Sequence, residues 1–332
     1  MNKKRYLLQA VLLGSILTLG SASAAMTAEA ATGPAKAESK VLNVTPTKTE
    51  VSYIPDIVYS QVPSRGFQNI SLQMDILQPK TEAKKPAILF VTGGGFINAN
   101  RANGLQLREK LADAGYVVAS INYRVAPTAT FPQPLEDVKS AIRYLKANAD
   151  KFGIDARRVG IVGGSAGGYL SAMTGTTSGT KTFDKGDNLN FDSTVRCAVD
   201  LYGISDPTKI GADFPADVQK KHQSAGATEA LWVNGSPVFG GKDGGILADK
   251  EAAEKANPIH YISKSSAPML LMHGTADTVV SPSQTDLLYQ ALQQKGIESE
   301  RYVIPHAQHG GVYWVQDNVI DVITAFFNKH LK

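Results

Sequence analysis

Ser165 stands in the middle of the stretch Gly163-Gly164-Ser165-Ala166-Gly167, which has the pattern G-x-S-x-G. The stretch ends the apolar run RVGIVGG and precedes a segment typical of a helix. Glycines on both sides of a serine at a strand-to-helix turn let the backbone bend sharply and expose the hydroxyl group. The pattern therefore predicts that Ser165 is a nucleophile.

A serine hydroxyl needs a base to accept its proton, and the chain has six histidines. His306 and His309 both follow the strand-like run ERYVIP, in a loop from which a base could reach Ser165. The glycines at positions 310 and 311 indicate a tight turn that exposes His309, so we favour His309 over His306. His273 ends an apolar run and is expected to be structural.

The base in turn needs an acid that orients it. Asp277, in the stretch HGTADTVV, follows the penultimate apolar strand, and Asp206 follows the run CAVDLYG. The chain order Ser165, Asp277, His309 is one in which serine hydrolases place these three groups. This order favours Asp277, with Asp206 as the alternative acid.

A second glycine cluster, in the stretch FVTGGGF, directly follows the apolar run AILFV. A dinucleotide fingerprint that started at Gly93 would need a glycine at position 98, where the chain has Asn98. A phosphate loop that started at Gly163 would need a lysine at position 169, where the chain has Tyr169. The glycine clusters therefore do not indicate nucleotide binding.

The histidine pair is also a weak metal signal. His306 and His309 have the spacing of two zinc ligands, but no third ligand of suitable spacing stands out. Acyl transfer by serine, histidine and aspartate requires neither a metal nor an organic cofactor. We predict none.

Apolar strands and helical patterns alternate along the chain and must position these residues. The expected strands after position 86 are AILFV, YVVASINY, RVGIVGG, VRCAVDLYG, APMLLMHG and ERYVIP. Helices are expected over 105–114, 284–294 and 315–330, and an apolar helix face is formed by Leu135, Val138, Ile142 and Leu145. This alternation predicts an α/β fold with a mostly parallel sheet and helices on both faces. Strands around 54–59 and 71–77 are expected to pair at one edge.

Residues 205–255 lack this alternation and are rich in Gly, Asp, Lys and Pro. A structureless loop of that length is unusual in a compact domain. We interpret the segment as a lid or cap insertion, or as short helices without a readable pattern. Trp232 and Phe239 would then offer apolar surface to the substrate pocket.

The first residues have the layout of a secretory signal peptide. Lys3, Lys4 and Arg5 precede the apolar stretch 7–19, and A-x-A patterns follow at 22–24 and 28–30. The apolar stretch is shorter than the roughly 20 residues of a spanning helix, so cleavage is favoured over an uncleaved anchor. We predict a signal peptide over 1–25, a flexible linker over 26–50 and a single domain over 51–332, with secretion or export to the periplasm.

The bulk composition gives no support for binding to nucleic acid or to an anionic membrane. Three basic residues of the signal peptide supply most of the formal net charge of +4, so a chain cleaved after Ala24 carries +1. A nearly neutral chain does not indicate binding to nucleic acid or to an anionic membrane surface. The single cysteine, Cys197, lies in an apolar run and is expected to be buried. The oligomeric state is not predicted.

Several motifs together resemble the hormone-sensitive-lipase-like esterases of the α/β-hydrolase group. The stretch NYRVAPTATFPQPLEDV over 122–138 is similar to a segment of those enzymes, as are GGSAGG and HGTADTVV. Secreted carbohydrate esterases of the feruloyl and acetylxylan types are a similar branch. The resemblance implies an eight-stranded hydrolase fold with Ser165, Asp277 and His309 as a catalytic triad.

The same resemblance implies an oxyanion hole. In that family an HGGG loop after the third strand and the residue after the nucleophile supply N–H groups, which here correspond to Gly94, Gly95 and Ala166. Thr92 stands where the family has histidine, so its shorter side chain would have to brace the loop.

These observations predict an exported serine carboxylesterase acting on small or carbohydrate-linked acyl esters. Two alternatives use the same fold: an exported peptidase of the prolyl-oligopeptidase type, and a binding protein without turnover. A large N-terminal gating domain would favour the peptidase, and only a short linker is expected before the fold. An intact Ser165, Asp277 and His309 argue against the binding protein.

Overall fold

The computed structural model describes residues 39–332. The predicted signal peptide and residues 26–38 of the predicted linker lie outside the described residues. Residues 39–50 are exposed and contain no helix or strand. The chain divides into two units between Thr45 and Pro46, and the first strand begins at Val51.

One mixed sheet forms the centre of the larger unit. Its strands are β1 (Val51–Ser64), β2 (Phe67–Pro79), β3 (Lys85–Val91), β4 (Val117–Ile121), β5 (Ile154–Gly164), β6 (Ala198–Leu201), β7 (Met269–Gly274) and β8 (Ser299–Ile304). The eight strands lie in the order β1-β2-β4-β3-β5-β6-β7-β8. β2 is antiparallel to β1 and β4, and the other neighbours are parallel. The predicted eight-stranded, mostly parallel sheet is confirmed.

Helices cover both faces of this sheet. They are α1 (Leu105–Asp113), α2 (Gln133–Ala147), α3 (Ala166–Thr176), α4 (Ala216–His222), α5 (Thr228–Asn234), α6 (Lys250–Lys255), α7 (Ser283–Gln294) and α8 (Asp317–Leu331). Alternate residues of β3 enter different cores: Leu89 packs in the core that includes α2, α3 and α7, and Ile88 in the core that includes α1 and α8. Burial on both faces explains why the parallel strands read as continuous apolar runs.

The edge strands β1 and β2 pair antiparallel, as predicted, but they are longer than the predicted ranges 54–59 and 71–77. Register shifts occur in β1 between Ile54 and Ile57, between Val58 and Ser60, and between Val62 and Ser64. Each shift interrupts the alternation of inward and outward side chains. The alternation in the sequence is therefore too irregular to show the full length of this strand.

The segment 205–255 folds into the short helices α4, α5 and α6 and several 3₁₀ turns. The prediction that Trp232 supplies surface to the pocket is wrong, because its side chain is 1% exposed and packs against the rings of Phe96 and Tyr169. Phe239 packs beneath the guanidinium group of Arg65. These helices are too short to show a helical period in the sequence.

The topology brings the candidate residues to one edge of the sheet. The second glycine cluster follows β3, Ser165 follows β5, Asp277 follows β7 and His309 follows β8. These four strands are parallel, so their carboxyl ends meet at the same edge, where ligands bind in open α/β sheets. Cys197 is fully buried, as expected. Across residues 39–332, no helix combines the length and hydrophobicity that crossing a membrane requires.

Candidate active site

Ser165 occupies a sharp turn between β5 and α3. Its φ of 57° and ψ of −123° are strained for a residue with a side chain, and such strain is concentrated at functional sites. A Cβ atom on Gly163 would lie 2.3 Å from the carbonyl oxygen of Gly167, and one on Gly167 would lie 2.0 Å from that of Val91. Only glycine therefore fits at the two flanking positions, which explains the spacing of the motif.

His309 joins Ser165 to Asp277 by short hydrogen bonds. The Nε2 atom of His309 is 2.8 Å from the Oγ atom of Ser165, and its Nδ1 atom is 2.7 Å from the Oδ2 atom of Asp277. With Nδ1 protonated, Nε2 is free to accept the serine proton. The three residues form a continuous chain of the kind that activates a serine for acyl transfer.

The two alternatives from the sequence lie elsewhere. The His306 side chain is exposed, and its backbone N–H group donates to the Oγ1 atom of Thr275. The carboxylate of Asp206 accepts a hydrogen bond from the backbone of Thr208 and thereby caps a 3₁₀ turn. The structure therefore brings Asp277 and His309 to Ser165, and not Asp206 or His306.

The Asp277 carboxylate is buried and accepts hydrogen bonds on both oxygens. Its Oδ1 atom accepts from the backbone N–H groups of Val279 (2.8 Å) and Val280 (3.0 Å). Its Oδ2 atom lies within hydrogen-bond distance of His273 as well as His309. Burial by itself raises the pKa of Asp277, but the hydrogen bonds from His273, His309 and Val280 outweigh burial, and the net pKa is lowered. Asp277 is therefore negatively charged at neutral pH.

Tyr202, which no sequence motif marks, lies directly against His309. Its ring meets the imidazole edge to face with centroids 4.9 Å apart, and meets the indole of Trp314 at 4.4 Å. Tyr202 has a φ of 46°, and burial raises the pKa of its phenol to about 12. The phenol therefore stays protonated. No local sequence pattern marks Tyr202, because it follows β6 whereas His309 follows β8, and only the sheet brings the two together.

The glycine loop after β3 presents free backbone donors beside Ser165. Within residues 39–332, the N–H groups of Gly94, Gly95 and Ala166 donate to no protein acceptor. Gly94 and Gly95 line the same cleft as Ser165. Unpaired N–H groups at the start of a helix and in a glycine turn are suited to binding an anionic oxygen.

Thr92 braces this loop from below. The Thr92 hydroxyl donates to the carbonyl oxygen of Gly93 (3.0 Å) and accepts from the side-chain amide of Asn103 (3.3 Å). The Tyr123 hydroxyl donates to the Thr92 carbonyl at 2.9 Å. The side chain at position 92 thus contacts the loop, with Asn103 and Tyr123 supplying the remaining support.

A cleft of about 770 Å³ opens beside Ser165 and His309. Its apolar wall consists of Phe90, Leu107, Leu201, Val279, Val312, Trp314 and Val315. Asn103, Gln106 and the Tyr202 phenol add polar atoms. Within the described chain, no residue that lines this cleft belongs to the segment 205–255, so the expectation that this segment forms the pocket is not met. Among residues 39–332, no three His, Cys, Asp or Glu side chains are grouped so as to hold a metal ion.

The fold and the arrangement of the strand ends are those of an α/β-hydrolase, as the sequence predicts. A bifunctional GH43-CE protein of Bacteroides eggerthii superimposes with a TM-score of 0.71 at 28% identity, covering 84% of this chain and 35% of that chain. A truncated carbohydrate esterase from gut microbiota superimposes with a TM-score of 0.69 at 27% identity, covering 86% of this chain and 98% of that chain.

The family model named BD-FAE matches residues 74–292, and the chain belongs to the BD-FAE family. The esterase LipC of Mycobacterium tuberculosis is 30% identical over 241 residues, which cover 71% of this chain and 56% of LipC. The chain spans about half the length of the sequence relatives that it matches.

Proposed function

We propose that this protein is a serine carboxylesterase that hydrolyses small or carbohydrate-linked acyl esters. The observation that carries the proposal is the chain from Ser165 Oγ to His309 Nε2 (2.8 Å) and from His309 Nδ1 to Asp277 Oδ2 (2.7 Å), at the wall of an open cleft. The names of LipC, an esterase, and of the gut carbohydrate esterase support the same class of reaction.

In the first step Ser165 Oγ forms a bond to the ester carbonyl carbon. The hydroxyl proton passes to Nε2 of His309, with which Ser165 already shares a hydrogen bond. The imidazole becomes positively charged, and the Asp277 carboxylate stabilises that charge through Nδ1. Because the pKa of Asp277 is lowered, the carboxylate remains ionised and does not itself take the proton.

The carbonyl oxygen becomes an oxyanion in this step. The N–H groups of Gly94, Gly95 and Ala166 are its proposed donors, because they lie beside Ser165 without another partner among the described residues. Donors that are already fixed in place stabilise the transition state without reorganising during the reaction.

The tetrahedral intermediate then collapses and the ester C–O bond breaks. His309 returns its proton to the departing alkoxide, so that an alcohol leaves and an acyl group remains on Ser165. A water molecule next attacks the acyl carbon while His309 takes a water proton. The bond between the acyl carbon and Ser165 Oγ then breaks, His309 returns its proton to Oγ, and the carboxylic acid leaves.

The shape of the cleft supports an ester with a modest hydrocarbon part. Leu107, Leu201 and Trp314 are at most 6% exposed and present an apolar floor, which suits the hydrocarbon of an acyl group. The polar side chains of Asn103 and Gln106 at the same cleft suit a hydroxylated alcohol such as a sugar.

We further propose export of the protein, supported by the basic and apolar layout of the first 24 residues.

A panel of esters tests this proposal. Acetyl, butyryl, longer acyl and feruloyl esters are compared with a peptide substrate, for the wild type and for Ser165→Ala. We expect ester hydrolysis in the wild type and loss of at least about 10³-fold in the variant, since the nucleophile is removed. Near-normal turnover by Ser165→Ala would exclude the acyl-enzyme. Turnover of the peptide alone would favour the peptidase, and failure of an active-site phosphonate to label folded protein would favour a binding protein.

A further inference from the structure

A second histidine lies behind the proposed triad. His273, at the end of β7, is fully buried, and its Nε2 atom is 3.2 Å from Asp277 Oδ2 and 3.1 Å from the carbonyl oxygen of Val280. A backbone carbonyl can only accept a hydrogen bond. The proton of His273 must therefore be on Nε2, where it points to both the carbonyl and the carboxylate.

The other nitrogen of His273 has a defined partner as well. Its Nδ1 atom is 3.2 Å from Thr285 Oγ1 in α7. Arg301 Nε, which can only donate, is 3.2 Å from the same oxygen. The Thr285 oxygen thus accepts from Arg301, and its own proton is available to His273, because the competing Pro282 carbonyl is farther away at 3.4 Å.

These directions make a complete relay with a neutral His273. Arg301 donates to Thr285, Thr285 donates to Nδ1 of His273, and Nε2 of His273 donates to Asp277. His309 donates to the same Oδ2 atom of the carboxylate. Every donor in the relay has an acceptor, so no proton is left over.

The relay explains how the carboxylate is oriented. The backbone N–H groups of Val279 and Val280 hold Oδ1, and His273 is a second donor to Oδ2 beside His309. Without His273, Oδ2 would keep His309 as its one donor among the described residues. The carboxylate could then turn about its last bond and move Oδ2 away from His309 Nδ1.

We infer that His273 is a positioning residue that fixes Asp277 Oδ2 against His309, through an Nε2–H group whose tautomer is set by Thr285 and the Val280 carbonyl. This inference rests on the proposed function of Ser165, Asp277 and His309. His273 does not touch the substrate cleft, so its removal is expected to change the chemical step and not substrate binding.

The test compares His273→Leu, which has no donor, with His273→Gln, which keeps an N–H donor at a similar reach. In His273→Leu we expect kcat to fall about 10- to 100-fold with KM within twofold, because one hydrogen bond to a charged group is lost. His273→Gln is expected to keep kcat within about fivefold. A folded His273→Leu with kcat within twofold of the wild type, a loss confined to KM, or equal kcat losses in both variants would overturn the inference.

A buried leucine here could also prevent folding, and Thr285→Val then replaces it. Valine keeps the shape of threonine but cannot donate to Nδ1, so kcat is expected to fall about two- to tenfold. An unchanged kcat in Thr285→Val would contradict the relay.

The rate of Ser165 labelling by a fluorophosphonate is measured for every variant. It reports the reactivity of the serine without any ester substrate, and it is expected to fall in parallel with kcat. If the wild type hydrolyses no ester but is labelled, the proposed function fails while the labelling rates still test His273.

Discussion

Asp277 and Asp200 are buried aspartates that belong to neighbouring strands or the loops after them, yet their pKa values are shifted in opposite directions. Asp277 lies in the loop after β7, and Asp200 lies in β6, where it pairs with Gly163 of β5. They are 4% and 1% exposed. The pKa of Asp277 is lowered, whereas burial raises the pKa of Asp200 to about 7.

The difference follows from the number of donors. Asp277 receives hydrogen bonds from two backbone N–H groups and two imidazoles. Asp200 receives one, from the N–H group of Gly203 at 2.8 Å, and across residues 39–332 its Oδ2 atom has no hydrogen-bond partner. Burial penalises both carboxylates, so the donors decide which of them carries a stable charge.

The largest expected effect comes from removing the stabilised charge. Asp277→Asn should lower kcat by about 10³- to 10⁴-fold, because asparagine cannot hold His309 in the required tautomer or stabilise its charged form. Steady-state hydrolysis of p-nitrophenyl acetate measures this. Asp206→Asn is the matched control and should stay within twofold, since the Asp206 carboxylate bonds to Thr208 and Lys209 and not to His309. The reverse result would reassign the acid.

The negative charge that forms on the substrate oxygen during the reaction should likewise depend on hydrogen-bond donors that are fixed in place, here the backbone N–H groups of the glycine loop. A Cβ atom on Gly94 would lie 2.1 Å from the carbonyl oxygen of Asn98, whereas one on Gly95 would meet nothing closer than the Thr228 methyl group at 4.0 Å. Gly94→Ala must therefore displace the loop, and kcat should fall about 10²- to 10³-fold, the typical cost of a lost oxyanion donor.

Gly95→Ala is the control for this change. Its positive φ of 58° adds strain but no collision, so the loss in kcat should stay below about tenfold. If kcat falls equally in Gly94→Ala and Gly95→Ala, with KM unchanged, then the position of the Gly94 backbone does not matter more than that of Gly95 for stabilising the oxyanion.

Substitution of Asp200 should change the free energy of unfolding and leave the catalytic activity nearly unchanged. Its folded pKa of about 7 exceeds the unfolded value of about 3.9, so the folded state binds this proton more tightly. Stability from this group is present below about pH 4 and is lost as the pH rises through 7. Asp200→Asn should therefore gain on the wild type between pH 4 and pH 8, by up to about 4 kcal/mol in the free energy of unfolding.

Urea unfolding of both proteins at several pH values measures this gain. The kcat of Asp200→Asn should stay within about threefold. A difference in unfolding free energy that does not vary with pH would show that Asp200 is ionised in the folded protein at pH 5.

The smallest expected effect is the pH dependence of the stability that Asp277 contributes, and its direction is opposite to that of Asp200. Because the folded pKa of Asp277 is lowered, its ionised form stabilises the fold above about pH 4, and this contribution is lost as the pH falls. The stability difference between the wild type and Asp277→Asn should shrink by about 1–2 kcal/mol between pH 6 and pH 3, the scale of a hydrogen bond to a charged group. Thermal unfolding at both pH values would detect it, and a constant difference would contradict it.

Much of the scaffold was predictable because the signals are local. The helix expected over 105–114 is α1, Leu105–Asp113, and the helix expected over 315–330 is α8, Asp317–Leu331. In both helices the buried apolar face is long enough for the helical spacing of apolar residues to repeat. The segment 205–255 was not predictable in detail, since its longest helices, α4 and α5, have seven residues each, too few to repeat the pattern.

The sequence by itself determined the candidate nucleophile, since the turn around Ser165 depends on glycines that are adjacent in the chain. It also determined the order along the chain of the strands that precede the other candidate residues. Only the tertiary structure decided that His309 and not His306 lies beside Ser165, that the cleft is lined without residues 205–255, and that the pKa values of Asp277 and Asp200 are shifted in opposite directions. The physical reason is that hydrogen-bond donors and burial come from distant elements, and a carboxylate has the same covalent structure whether it has one donor or four.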